Sequence, residues 1–459
     1  MDALLFGEPK QCKANCLSSQ QKTRFGLCKI GCRGITSDMA RKIKIGLVGV
    51  GMFGGDVHLR TYADLQRSGI APWLGRIGYD DFASEFADVT FELVGTGTRT
   101  KVSGERAKVT YGDLTGVPIK TFHGETPWVH MIEQFPDLDI LAVATPDHLH
   151  TAPILHGLQK DIHVVAEKPM TLSTAEADKI IKLAQEKNLL VGLDMHKRYD
   201  PDHLKIFHEL VDQMGKPIYG RAVLEEPLEV STNTFKWVEE SDPFSYVGVH
   251  WTDLFVGYLN IKPVSIFAVG QKMKLSQEYG INAYDATQVS VVFDNGMHVH
   301  FANNWITPND FEGPVNQESE ILMTRGKIES DSQYRGLRYT IEGGGSHTSN
   351  THFTRDVFRH DGSKAYVGYG KDSLIACILG VLRIKFNNHS LIDIDRTYPT
   401  AEEGRISVAI IETARIVMDL NFGYLQKNMG TPVTAKFGND GIIILDPYTG
   451  NRHIYDKLL

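Results

Sequence analysis

Two features of this chain combine residue types and spacing that can do chemistry. One is a lysine at the end of an apolar run, Val165-Ala166-Glu167-Lys168-Pro169; the other is the upstream turn Gly49-Val50-Gly51-Met52-Phe53-Gly54. In a G-x-G-x-x-G turn the first glycine permits a tight reversal. The second lets backbone N–H groups approach a pyrophosphate, and the third lets helix and strand pack closely. An amine held at the lip of the same sheet can trade a proton with an alcohol or a carbonyl. Together they imply hydride exchange with a bound dinucleotide, Lys168 handling the hydroxyl proton as a neutral amine beside a cationic ring. Each has a plainer structural explanation: glycine turns are common in loops, and Pro169 ends a strand ladder and keeps its predecessor extended. Position favours the chemistry, because Lys168 falls at the carboxyl edge of the sheet, where ligands of open α/β folds bind.

Cofactor preference is read at the end of the second strand, where NAD enzymes offer a carboxylate to the adenosine ribose. Here the chain reads Gly95-Thr96-Gly97-Thr98-Arg99-Thr100, with no carboxylate. Thr98 and Arg99 suit a 2′-phosphate, so NADP is expected in preference, with NAD possible; alternatively Arg99 is a solvated surface arginine.

The elements that must position these residues follow from periodicity. Ile43, Ile45, Leu47 and Val48 make a short strand before the glycine turn, and Leu59, Tyr62 and Leu65 recur at helical spacing after it. Residues 70–90 interrupt as an insertion, and strands resume at 91–94, 118–122, 138–144, 162–166 and 189–193 with helical segments between. Near-continuous apolar strands alternating with helices predict a parallel sheet covered on both faces. Ser173-Thr174-Ala175-Glu176 reads as a capping box. Beyond residue 196 the pattern changes to alternating strands, with a hairpin at 288–301 turning on Asp294-Asn295-Gly296, further strands at 319–323 and 338–341, and helices at 374–386 and 405–420. The expected fold is α/β: a Rossmann dinucleotide-binding domain over 41–196, then an α+β domain over 197–459 with a mainly antiparallel sheet.

A chain of 459 residues is long enough for two cores. A net charge of −8 with dispersed Lys and Arg argues against nucleic acid as a partner. No apolar run approaches the roughly 18–20 residues of a membrane span. Four of five cysteines, Cys12, Cys16, Cys28 and Cys32, lie in the first segment; only Cys377 lies beyond, as in a reduced, cytoplasmic protein. Residues 1–40 are expected to be a disordered leader rather than a metal knuckle or a secretion signal, and Met39 is a candidate start.

As an ordered set, Gly49-Val50-Gly51-Met52-Phe53-Gly54, Ala144-Thr145-Pro146-Asp147-His148-Leu149-His150, Glu167-Lys168-Pro169, Lys197-Arg198-Tyr199-Asp200-Pro201 and Gly248-Val249-His250-Trp251-Thr252-Asp253 resemble the family of glucose–fructose oxidoreductase, inositol dehydrogenase and the rhizopine-catabolism proteins. The resemblance covers residues 42–425. It implies NAD(P)-dependent oxidoreduction of a sugar, cyclitol or related polyol, with the second domain's open sheet building a homo-oligomer, dimer or tetramer. It also implies Lys168 as the main catalytic acid/base and His250 as a substrate binder or second proton group. Gly49, Gly51, Met52, Phe53, Gly54, Thr145, Pro146, His148 and Glu167 become cofactor residues, and Arg198, Tyr199 and Tyr246 substrate-side residues, with Trp237, Trp251 and Asp253 weaker substrate-side candidates. One departure stands out: where many members carry Asp four residues before the histidine, this chain has Tyr246, so a lysine–aspartate–histidine relay does not transfer. A phenol with a pKa near ~10 is a poor base at neutral pH. Asp147, His148 and His150 lack further ligands nearby, so no metal is expected. The competing expectation is a non-catalytic regulator of the same fold that binds dinucleotide. Neither the substrate nor the direction of reaction follows from these residues.

Overall fold

The first sheet is assembled around its own opening strand. β1 (Lys42–Val48) lies between β2 (Thr90–Thr98) and β4 (Ile140–Val143). β3 (Lys120–His123), β5 (His163–Ala166) and β6 (Val191–Leu193) complete the parallel order β3-β2-β1-β4-β5-β6. Strand order reverses between β1 and β4, and dinucleotides lie outside the carboxyl ends at such a switch point. Every residue of β4, β5 and β6 is buried, which is why these strands read as unbroken apolar runs. The computed structural model describes residues 41–455, except 335, 342–344, 351, 359, 361 and 363. The expected leader and its four cysteines lie outside the described residues.

Two expectations are corrected here. Residues 70–90 are part of the core rather than an appended insertion: a short helix (Ala71–Leu74) and two helical turns bury Trp73, Leu74, Phe86 and Val89 against Ile43 and Ile45. The helix Thr174–Lys187 has Ser173 at its N-cap but no capping box. Glu176 accepts instead from the Thr151 and Thr171 hydroxyls, both at 2.7 Å, and Glu412 from a distant helix accepts the Thr174 N–H at 2.8 Å. Tertiary partners satisfy the orphan donors that local pairing would otherwise satisfy.

The second sheet has nine strands in the order β12-β11-β7-β10-β9-β8-β17-β18-β19. They are β7 (Pro217–Pro227), β8 (Pro263–Gln271), β9 (Ala286–Phe293), β10 (His298–Thr307), β11 (Asn316–Met323), β12 (Gly326–Asp331), β17 (Thr434–Gly438), β18 (Gly441–Leu445) and β19 (Arg452–Tyr455). Only β7–β10 pair in parallel. The β9–β10 hairpin closes at Gly296, whose φ of +86° suits the turn. The strand expected at 338–341 lies in β13 (Gly336–Ile341), paired with β14 (Gly345–Asn350) in a separate ribbon; β15 (Arg355–Phe358) and β16 (Lys364–Val367) form another. The helix Tyr369–Asn387 returns to the first sheet, its Leu374, Ile375, Cys377 and Ile378 packing in one cluster with Ile43, Ile45 and Val165. A boundary at residue 196 therefore separates the two large sheets but not the apolar core. Among the described residues, no helix is long and apolar enough to cross a membrane.

Candidate active site

At the end of β1 the chain turns on Gly49, whose N–H donates to Gly97 O at 2.8 Å. Its φ is +90°, and a Cβ there would sit 2.2 Å from Ala144 O; a Cβ on Gly54 would sit 2.2 Å from Gly49 O. These two glycines press the helix start onto the ends of β1 and β4. Gly51 differs, since a Cβ there would meet no protein atom. The turn thus leaves an open cradle at a helix N-terminus, the shape and polarity a pyrophosphate requires. Met52 is exposed and Phe53 half-buried at its rim. Thr98 is buried and donates its hydroxyl to Thr100 O at 2.7 Å, whereas Arg99 is exposed. Thr145 and Pro146 follow β4, and the Thr145 hydroxyl is buried without a partner. His148 stands 6.1 Å from the Trp237 ring. His150, one of the histidines set aside as a metal ligand, bridges Pro169 O at 2.7 Å and Thr145 O at 2.8 Å, tying the ends of β4 and β5 together.

Lys168 emerges from β5 into this edge and is 4% exposed. Its Nζ donates to the backbone carbonyl of Tyr246 at 2.9 Å and lies 4.2 Å from the centre of the Tyr246 ring. Burial pulls the amine below its ordinary pKa, while Glu167, Glu226, Asp147 and Asp194 pull it back up. Tyr246 meets the lysine with its carbonyl and ring, and burial drives its phenol well above the usual range, so it offers no base. Its ring packs edge-on against Phe235 and Trp237, at 4.8 and 5.4 Å.

His250 is held on the helix Val249–Leu259, buried, with Nδ1 unpartnered. Burial first, and then Lys168, hold its pKa well below the ordinary value, so the ring is neutral. It stands 4.5 Å from His196, which stacks on Phe53 at 5.5 Å and touches Phe353 at 5.3 Å. His196 and Glu226 were not singled out from sequence. His196 lies immediately before the Lys197–Pro201 run already noted; Glu226, whose carboxyl accepts from Trp305 Nε1 at 2.7 Å, carries no signal beyond strand alternation. Burial pushes Glu226 up to about 7, against the pull of Lys168.

Four residues expected on the substrate side are committed elsewhere. Arg198 donates twice to Asp253, at 2.7 Å each, and once to Glu403 at 2.8 Å. Trp251 is 1% exposed, donates to Val223 O at 3.0 Å and packs against His203, as a core tryptophan does. Tyr199 is half-buried against the first domain's apolar cluster. Glu167, expected at the cofactor, turns inward to His58 Nε2 at 3.0 Å.

Residues 43–195 match a family described as oxidoreductases with an NAD-binding Rossmann fold, and residues 208–329 match the GFO/IDH/MocA C-terminal domain. The chain is 29% identical over 134 residues to a UDP-N-acetylglucosamine 3-dehydrogenase of Acidithiobacillus ferrooxidans. It is 26% identical over 136 residues to a scyllo-inositol 2-dehydrogenase (NADP(+)) of Bacillus subtilis. These stretches are each 29% of this chain and 40% and 36% of the relatives, so less than half of their length is matched. Among solved structures, scyllo-inositol dehydrogenase from Lactobacillus casei with bound NAD(H) and scyllo-inositol superposes with a TM-score of 0.57 at 16% identity, over 83% of this chain and 97% of that one. Myo-inositol 2-dehydrogenase from Lactobacillus plantarum gives 0.59 at 14%, over 83% and 98%. At these identities the likeness concerns the fold.

Proposed function

Because this chain belongs to the GFO/IDH/MocA oxidoreductase family, we propose that it is an NAD(P)-dependent dehydrogenase or reductase acting on a CH–OH group of a sugar, cyclitol or related polyol. The observation that carries the reading is Lys168 itself: a nearly dry amine at the carboxyl edge of β5, its pKa lowered by burial, beside two neutral histidines. When bound, the nicotinamide supplies the hydride acceptor or donor. Lys168 Nζ takes the substrate hydroxyl proton as the carbinol becomes a carbonyl, or returns it in the opposite direction. The Tyr246 carbonyl accepts one N–H of that amine and steadies the ammonium formed by proton transfer. His250, with its free Nδ1, is placed to hydrogen-bond a second substrate oxygen. The Phe235, Trp237 and Tyr246 rings offer an apolar wall beside it.

NADP preference belongs to this reading, supported by the absence of a carboxylate at the end of β2 and the exposed Arg99 there. So do homo-oligomerisation and a cytoplasmic setting, the latter supported by Cys377 as a buried free thiol. The test is Lys168→Met assayed by reduced-cofactor absorbance on a panel of sugars, inositols and their keto forms, with NAD and NADP. Turnover is expected to fall by about 10²–10⁴-fold while dinucleotide binding and thermal unfolding stay near wild type. Turnover that survives the substitution sinks the mechanism. Wild-type protein that binds NADP but turns over no polyol favours the regulator, and a kcat/KM favouring NAD overturns the NADP preference.

A further inference from the structure

We infer that Glu167 and Asp194 hold a single proton between them beneath Lys168 and act as positioning residues, setting the charge against which that lysine ionises. The statement about Lys168 rests on the proposed function; the shared proton does not. The arrangement follows from topology. β5 and β6 are parallel neighbours with Ala166 opposite Leu193, so the next residue of each strand, Glu167 and Asp194, leaves the sheet side by side, and Asp194 N–H donates to Ala166 O at 2.8 Å. Glu167 is 5% exposed and Asp194 fully buried.

The surroundings contain too little positive charge for two carboxylates. His58 faces the pair from the first helix, its reactive nitrogen and one oxygen of each carboxyl all within 4.8 Å of one another. Its Nδ1 lies 3.0 Å from Tyr62 Oη and its Nε2 3.0 Å from Glu167 Oε1, so a neutral ring can accept from the phenol and donate to Glu167. Burial pushes that ring down to about 4, which keeps it neutral. Ser373 and Cys377 face Asp194 from the helix Tyr369–Asn387; the Ser373 hydroxyl favours the Asp194 carboxylate, but neither group brings a positive charge. His196 Nδ1 is 3.9 Å from Asp194 Oδ1, too far to donate, and burial holds it neutral too. Among the described residues, Lys168 is the cation that acts on Glu167. Two ionised carboxylates here would leave uncompensated charge in a dry site, and like charges in contact do not both ionise. One proton resolves this, with the Asp194 carboxyl donating to the Glu167 carboxylate. Burial pushes Glu167 up to about 7 and Asp194 well above its usual range, which is the same ordering. The pair then presents Lys168 with one charge rather than two, beside Glu226 and Asp147, which face the amine as well and raise its pKa in wild type and variants alike.

Infrared spectra of the full-length protein at pH 8, in H₂O and D₂O, read the proton directly. Wild type is expected to show a protonated-carboxyl C=O band that Asp194→Asn removes. Stability against pH gives a second readout. The folded pKa of Asp194 lies above the unfolded value of ~3.9, so on raising the pH the unfolded chain releases its proton first and folding loses ground. The folded-to-unfolded ratio of wild type relative to Asp194→Asn is therefore expected to fall by up to about tenfold per pH unit above pH 4. A missing band, a ratio that rises with pH, or a stoichiometric metal ion in the purified protein would each overturn the shared proton. For the effect on Lys168, Glu167→Gln removes the facing charge, so the acid limb of kcat/KM should move about one pH unit lower. A uniform loss of kcat/KM with the limb unmoved assigns Glu167 a merely structural part and overturns the coupling.

Discussion

Asp253→Ala is expected to destabilise the protein while leaving substrate affinity alone. Arg198 makes three hydrogen bonds, two to Asp253 at 2.7 Å and one to Glu403 at 2.8 Å, and the Arg198 and Asp253 side chains are 13% and 3% exposed. A bidentate, charge-assisted pair in so dry a setting holds the guanidinium firmly protonated. Removing one partner of a buried pair costs about 3–5 kcal/mol, because the other is stranded without water or countercharge. Glu403 is 27% exposed and still faces the guanidinium, so the lower end, about 3 kcal/mol, is expected. The carboxyl of Glu403 also accepts the Thr400 N–H at 3.0 Å, which anchors it to the start of the helix Ala401–Leu425 and prevents it from following the arginine. Urea denaturation should show a lower midpoint at an unchanged m-value, with KM for a turned-over polyol within twofold of wild type. A KM raised tenfold or more at an unmoved midpoint would mean that the pair holds substrate and that the strut reasoning is wrong.

Two further outcomes follow from single contacts. His163 Nδ1 accepts the Leu190 N–H at 3.0 Å, and burial pushes the ring down to about 4. The unfolded chain takes up this proton first, at ~6.5, so the contribution is complete above that pH and declines by about 3 kcal/mol as the pH falls towards 4. His163→Asn, which keeps an acceptor but cannot be protonated, should flatten this share of the acid slope in thermal melts; an unchanged slope would refute the assignment. At the glycine turn, Gly54→Ala drives a Cβ into Gly49 O and should lower stability by more than about 2 kcal/mol. Gly51→Ala meets no protein atom and should alter stability by less than about 0.5 kcal/mol while weakening dinucleotide binding by calorimetry; equal losses of stability would count against the cradle.

What could be read from the chain alone is what local patterns encode. β4, β5 and β6 were legible because strands buried on both faces are largely apolar runs, β1 and β2 because their apolar residues cluster on either side of the glycine turn and helix, and the β9–β10 hairpin because Asn295-Gly296 carries its own turn chemistry. The glycine turn and the position of Lys168 at a strand end were legible as well, since a turn and a strand end are defined by adjacent residues. Three things were decided only by tertiary structure. Glu176 forms no capping box because the Thr151 and Thr171 hydroxyls take its carboxylate and Thr171 accepts the Ser173 N–H. Arg198 and Asp253, 55 positions apart, find each other rather than the cleft. Glu167 and Asp194 become a pair only because β5 and β6 lie side by side, and burial then sets their protonation. A sequence states which groups can ionise; the fold decides which of them face one another out of water, and that decides which do.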